Sequence, residues 1–221
     1  ATGLSDREAA APMRADQLFR LASVSKPLLT TVLLRLVADG VLDLDTPVQR
    51  WLPQFRPALA DGSTPPISLR QLLSHSSGLG YRFLEADADG PYARAGVSDG
   101  MDANPLSLAD NVQRIAQVPL LFAPGSQWLY SLGVDVAGAV AEAATGETLQ
   151  ALFARLLAAP LGLRDTAFAT RDAARLATPY VSDAPQPHRL REGEVVAPFE
   201  GTVGIDYSLA RATDASRFAS A

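Results

Sequence analysis

The chain has no cysteine. That one absence removes disulfides, thiolate metal ligands and cysteine nucleophiles together, and leaves the redox compartment open. Histidine is almost as scarce, with only His75 and His188, far apart in the sequence, so a histidine-centred metal site is not expected. Charge is low as well: 19% of residues are charged and the net charge is −5. No basic patch or stripe exists, which argues against nucleic acid as a partner. No apolar run reaches the roughly 18 residues that a membrane span needs. The scarcest positive side chain is lysine. Of 19 basic residues, Lys26 is the one that is not arginine.

What the chain does have is length and apolar content. With 221 residues, 48% of them hydrophobic, it can bury a sizeable core in one or two domains. No signal-peptide pattern stands at residue 1, so a cytoplasmic location is favoured, although the chain begins and ends abruptly, as a stretch of a larger protein would. Oligomeric state is left open.

Lys26 lies three residues after Ser23 in Phe19-Arg20-Leu21-Ala22-Ser23-Val24-Ser25-Lys26-Pro27. Arginine stays protonated at any ordinary pH, whereas a lysine can give up its proton and serve as a base. A chain that uses arginine elsewhere and lysine once points to chemistry at that lysine. The bare Ser-x-x-Lys spacing is common; its setting is more informative. The run from Leu28 to Val37 is strongly apolar and is followed by Ala38-Asp39-Gly40, a helix end. Pro27 is tolerated in a helix only in the first turn. Ser23 is therefore expected at or beside the start of a helix reaching about residue 38. Residues three apart share a helix face, so the two side chains can meet. A helix apolar nearly all round should be central and buried, which disfavours the ammonium form of a lysine and helps it accept a proton.

Further along, residues 41–53 read as a turn and a short helix with Pro47 near its start. Ser68 caps a helix beginning at Leu69 and ending in the turn Ser74-His75-Ser76-Ser77-Gly78. Residues 80–106, rich in Gly, Pro and acids, read as a long surface excursion. Helices follow over Leu108–Val118, Val134–Ala144 and from Thr148 to Ala158, the last stopped at Pro160-Leu161-Gly162. From about residue 170 the chain turns polar and weakly periodic, with a short strand possible at Glu194-Val195-Val196.

These segments resemble the serine β-lactamase and penicillin-binding-protein superfamily, closest to the class C-like esterases known as family VIII carboxylesterases. The likeness rests on the Ser23–Lys26 stretch, Leu42-Asp43-Leu44-Asp45, Leu72-Leu73-Ser74-His75-Ser76-Ser77-Gly78-Leu79, Phe122-Ala123-Pro124-Gly125, Tyr130-Ser131-Leu132 and Pro160-Leu161-Gly162-Leu163. It covers residues 14 to 168. Each piece is weak; their order and spacing as a set are specific. The resemblance implies an α/β (α+β) fold of the serine β-lactamase kind, a helical domain packed on a mixed α/β domain with a largely antiparallel sheet. Residues 1–55 would form part of the α/β domain, 56–175 the mainly helical domain, and 176–221 a polar segment leading back. It also implies that Ser23 is acylated, that Lys26 and Tyr130 move its proton, and that the Ser23 backbone N–H is one oxyanion donor. A free phenol is a weak acid near pH 10, so tyrosine acts as a base only beside a cation that stabilises its phenolate. Which of the pair takes the proton first is left open, since they would titrate as a unit. No metal and no organic cofactor is implied, and the substrate is a small-molecule ester.

Two departures from the family pattern matter. Leu132 stands where β-lactamases carry an Asn two residues after the tyrosine. A leucine cannot hydrogen-bond a substrate amide, which favours small esters in an apolar pocket over β-lactams or peptides. The third motif, a Lys-Thr-Gly or His/Trp-x-Gly strand that supplies the second oxyanion donor, has no match before Ala221 and is expected beyond it. The alternatives on the same fold are a β-lactamase, a D-amino-acid peptidase or a transesterifying acyltransferase. From a different class, a penicillin-sensing acyl trap or scaffold remains. Gly96-Val97-Ser98-Asp99-Gly100 also matches the Gly-x-Ser-x-Gly lipase pattern, but lacks the strand before it and the helix after it that the pattern requires. Ser98 is expected to be a surface turn residue, and only His188 could serve as the late histidine that a lipase triad needs. His75 is expected to be structural. Asp43, Asp45, Asp102 and Asp165 are scattered over caps and turns, so paired-acid glycosidase chemistry finds no support.

Overall fold

The computed structural model describes residues 1–103, 106–170 and 172–209. Its helices occupy the middle of the chain and its strands the two ends. At the N-terminal end, β1 (Leu4–Asp6) pairs antiparallel with β2 (Ala11–Pro12). Toward the other end β3 (Tyr180–Val181) pairs with β4 (His188–Arg189) and β5 (Glu194–Val196) with β6 (Ile205–Tyr207), both antiparallel. The strand expected at Glu194-Val195-Val196 is β5. The two strand-bearing regions meet: Leu18 bridges Leu176 in parallel, Thr178 donates its backbone N–H to Ser5 O at 2.9 Å, and Arg189 pairs with Asp6.

The central element is α1 (Ser25–Ala38), preceded by a single 3-10 turn over Ala22–Val24. Pro27 falls in the first turn, where it forfeits no hydrogen bond. Leu29, Val32, Leu33 and Leu36 line the buried face, and each contributes about 1.5–3 kcal/mol of burial free energy. Burial all round was the expectation, yet Leu34 is 45% exposed. The described neighbours cover one face of α1, and the leucines run past the edge of that cover.

Beside α1 lies a helical layer of α2 (Leu69–Leu73), α3 (Pro91–Arg94), α4 (Leu108–Ile115), α5 (Gly133–Thr145) and α6 (Leu149–Phe153). α2 starts with a reciprocal cap: Ser68 Oγ accepts the Gln71 N–H at 3.3 Å while Gln71 Oε1 accepts the Ser68 N–H at 2.9 Å. α5 is buried without interruption from Gly133 to Ala141. Its Gly, Ala and Val side chains are small enough for α1, α2 and α4 to pack closely on it. At Gly133 the approach is extreme: a Cβ there would sit 2.5 Å from the Leu72 carbonyl oxygen. The helical run passes the expected end at Ala158 but stops within the expected Pro160-Leu161-Gly162, at left-handed Gly162. A widened π turn over Ala154–Ala158 leads without a break into a last helical turn at Ala159–Leu161, which carries Pro160.

The stretch expected to be a surface excursion is only partly so, with residues 86–89 exposed and its flanks reaching into the core. Tyr81, Phe83, Tyr92 and Val97 are buried, and so are Ser98, Asp99 and Asp102. Composition misleads here because the polar residues satisfy one another inside. Asn104 and Pro105, expected to stop a helix after Ser98, lie outside the described residues, as do residues 210–221 of the last expected segment.

Candidate active site

Ser23 sits on the 3-10 turn that feeds α1. The residue before it, Ala22, has φ +44°, a left-handed conformation that a non-glycine residue adopts at a cost and that recurs at functional sites. The turn leaves Ser23 exposed while Lys26, in the first turn of α1, is 5% exposed. The three-residue spacing does what helix geometry predicts: Lys26 Nζ donates to Ser23 Oγ at 3.4 Å.

Tyr130 arrives from a different element. It precedes the start of α5, and the main chain around it is stitched to the turn after α2. Leu129 N–H donates to His75 O at 2.8 Å, and Leu132 N–H to Gly80 O at 3.2 Å. Ser131 N–H donates to His75 Nδ1 at 3.2 Å. The close seat of Gly133 on Leu72 completes this attachment. The outcome is a phenol whose OH donates to Ser23 Oγ at 2.6 Å. One serine oxygen thus receives hydrogen bonds from both the ammonium and the phenol, and either group could take the serine proton only after giving up its own.

Aromatic rings pack around this cluster. Tyr130 stacks on Tyr81 at 5.3 Å between centroids, and Tyr81 lies tilted against Phe83 at 4.7 Å. His75 lies tilted against Tyr130 at 4.8 Å. Lys26 Nζ is 5.1 Å from the Tyr130 ring centroid and 5.4 Å from that of Tyr81, within cation–π range. His75 is held below the usual histidine range by burial and by the Lys26 charge, so it stays neutral and accepts through Nδ1. It was expected to be structural; here it braces Tyr130 from behind, at φ +56°. Tyr81 carried no motif and was not singled out from the sequence. A tyrosine shortly after the Ser-Gly turn was the available signal.

Leu132 is fully buried, its side chain within the hydrophobic core. It offers no side-chain donor or acceptor near Tyr130 and no surface to solvent. The lipase-like serine is elsewhere. Ser98 is 2% exposed, donates to Asp102 Oδ1 at 2.5 Å and accepts the Gly100 N–H at 3.0 Å. The expectation of a surface turn residue is corrected: Ser98 is an interior strut. His188 pairs with Glu194 at 2.6 Å in the strand-bearing region. Asp43 caps a turn by accepting the Asp45 and Thr46 N–H groups, Asp45 pairs with Arg70, and Asp165 with Arg175. Among the described residues no group of three or more His, Asp or Glu side chains could hold a metal ion. Nor, among them, is any helix long and apolar enough to cross a membrane. A cavity of about 680 Å³, lined in part by Leu21, Leu28, Phe153, Phe168 and Tyr207, borders the same helix start, but Ser23, Lys26 and Tyr130 do not line it.

Residues 1–220 match the family model described as Beta-lactamase. The chain belongs to the beta-lactamase family. Its fold is the family's, too. The structure superposes with a TM-score of 0.96 and 46% identity on EstCE1, described as a hydrolase with promiscuous acyltransferase activity, over 99% of this chain and 57% of that one. Esterase EstB of Burkholderia gladioli is 54% identical over 201 residues, 91% of this chain and 51% of the relative. Monacolin J acid methylbutanoyltransferase of Aspergillus terreus is 34% identical over 171 residues, 71% of this chain and 39% of the relative. This beta-lactamase-family chain therefore spans about half the length of the curated relatives it matches.

Proposed function

We propose that the protein is a serine carboxylesterase that hydrolyses small esters through an acyl-Ser23 intermediate. The observation that carries the reading is the double contact at Ser23 Oγ, with Tyr130 at 2.6 Å and Lys26 at 3.4 Å. Ser23 attacks the ester carbonyl as its proton passes to the Lys26–Tyr130 pair. The Ser23 backbone N–H is one donor to the oxyanion. The same pair then protonates the departing alcohol, and water or another nucleophile takes the acyl group from Ser23. Leu132, expected to line the substrate pocket, is sealed in the core instead and takes no part in this reading.

Acyl transfer is the second reading, supported by the words printed for EstCE1 and the Aspergillus relative. It uses the same acyl-Ser23 and differs only in the acceptor admitted. The test follows p-nitrophenyl acetate and butyrate turnover by the full-length protein, by Ser23→Ala and by Ser98→Ala, with and without an added alcohol. Loss in Ser23→Ala with retention in Ser98→Ala is expected, and the reverse pattern overturns the reading. New ester formed in the presence of alcohol marks the transferase branch. A chromogenic cephalosporin opened at a comparable rate would displace esters as the preferred class.

A further inference from the structure

Tyr81 lies outside the proton path, yet its ring shares the ammonium that path depends on. It is 2% exposed, and its hydroxyl makes no hydrogen bond of ordinary length among the described residues, with the Tyr130 hydroxyl as a more distant neighbour. Burial, reinforced by Asp135 and Tyr130, holds its phenol well above the usual tyrosine range, so it stays neutral and cannot act as a base. A buried hydroxyl without a hydrogen bond of ordinary length brings no benefit to packing that phenylalanine would lack. The ring is what this position contributes. It stacks on Tyr130 at 5.3 Å and 27° on one hand and lies tilted against Phe83 at 4.7 Å on the other, and Lys26 Nζ lies 5.4 Å from its centroid.

The backbone carrying that ring is pinned from the interior. Asp99 Oδ1 and Oδ2 accept the N–H groups of Arg82 and Phe83, the two residues after Tyr81, at 3.0 and 2.9 Å. The residue before Asp99 is locked in turn. Asn111 Oδ1 accepts the Ser98 N–H and Asn111 Nδ2 donates to Ser98 O, both at 2.9 Å. The Gly96–Gly100 stretch, which carries a lipase-like pattern without lipase geometry, is thus a brace behind Tyr81.

We propose that Tyr81 is a positioning residue for the Ser23 site: its ring, held by the Asp99 brace, fixes the Lys26 ammonium and the Tyr130 ring against Ser23 Oγ. The proposal rests on the reading of Ser23 as the nucleophile but not on which ester the protein takes. An ammonium is favoured over its neutral amine by an electron-rich ring face. Weakening that face moves the pH range in which the cluster activates Ser23 toward acid, whichever partner takes the proton first.

The experiment measures the rate at which a fluorophosphonate probe labels Ser23 across pH, a readout that needs the nucleophile but no ester specificity. The full-length protein is compared with Tyr81→Phe and with the protein carrying a ring-fluorinated phenylalanine at position 81, which keeps the shape and drains the ring face. Tyr81→Phe should label within about threefold of wild type, with an unmoved profile, because the ring remains. The fluorinated ring should slow labelling several-fold and shift the profile toward acid by about half a unit to one unit, with an unchanged melting temperature. A fluorinated profile that overlies the Tyr81→Phe profile overturns the proposal. So does an equal loss in both, since that assigns the role to the hydroxyl. Labelling that persists in Ser23→Ala brings down the nucleophile assignment instead, and is told apart by that control alone.

Discussion

Ser23 and Ser98 both make short hydrogen bonds to ionisable groups, and only Ser23 keeps an open side. Ser98 Oγ is spent: it donates to the Asp102 carboxylate and accepts the Gly100 N–H in an interior where the residue is 2% exposed. A carboxylate beside a serine can polarise it, but here no carbonyl carbon could reach the oxygen. Ser23 Oγ is the acceptor of a phenol and an ammonium on an exposed turn. Its neighbours are both groups that can exchange a proton with it, and its open side faces solvent. A serine's role follows from what remains unfilled around its oxygen more than from the letters on either side of it.

That contrast is most sharply tested by deleting each hydroxyl. Ser23→Ala should lower ester turnover by about 10⁴-fold or more with little change in melting temperature. Ser98→Ala should leave turnover within about threefold, and its effect should appear in urea unfolding as a loss of about 1–3 kcal/mol, because Asp102 and the Gly100 N–H lose a partner they share. If the two columns exchange, the assignment is wrong.

Next in size are the partners of Ser23. Tyr130→Phe and Lys26→Met should each reduce kcat by about 10²–10⁴-fold. The double variant should do little more than the worse single one, as expected of groups acting as a unit. Additive losses in the double-variant cycle would show two independent functions instead.

A smaller effect should separate the interior region by pH. Burial pushes the Asp99 carboxyl up to about 7, opposed by the N–H groups of Arg82 and Phe83 and the Arg82 charge and assisted by Asp102. A carboxyl raised in the folded state stabilises the fold most below its unfolded value near 4, and that contribution is lost as pH climbs toward 7. The stability of wild type relative to Asp99→Asn should therefore fall between about pH 4 and 7, by on the order of 4 kcal/mol at most, and level off above. Denaturant unfolding at several pH values measures it. A flat difference would mean that Asp99 is solvated in the native protein.

Ser23 and Lys26, the proposed nucleophile and base, were legible because they lie on one helical turn, where spacing in sequence is spacing in space. Tyr130 became legible only through its place in a family pattern, since 107 residues separate it from Ser23 and nothing local announces the meeting. Helix starts at Ser68 and Thr148 could be read from cap chemistry, and both caps are made. The interior of residues 80–103 was illegible for an opposite reason. Its Asp, Ser and Gly content has the look of a loop, and only long-range pairing, such as Asn111 with Ser98 across 13 residues, reveals that those polar groups are satisfied in the core. Tyr81 hid for the same cause: a single ring in a polar stretch has no periodicity to betray it.

The attachment of Tyr130 to the turn after α2, rather than to α1, gives the two Ser23 contacts different mechanical characters. The Lys26 contact spans one helical turn, so the backbone at its two ends moves as one piece. The Tyr130 contact spans a seam between separately anchored pieces of chain, one held by Gly133 seated on the Leu72 carbonyl. Sliding across that seam by a few tenths of an ångström would alter the phenol–serine distance while leaving the ammonium–serine distance untouched. The site therefore has one fixed jaw and one adjustable jaw, and cooling, pressure or a substitution in the α2–α5 seam should act through the tyrosine first.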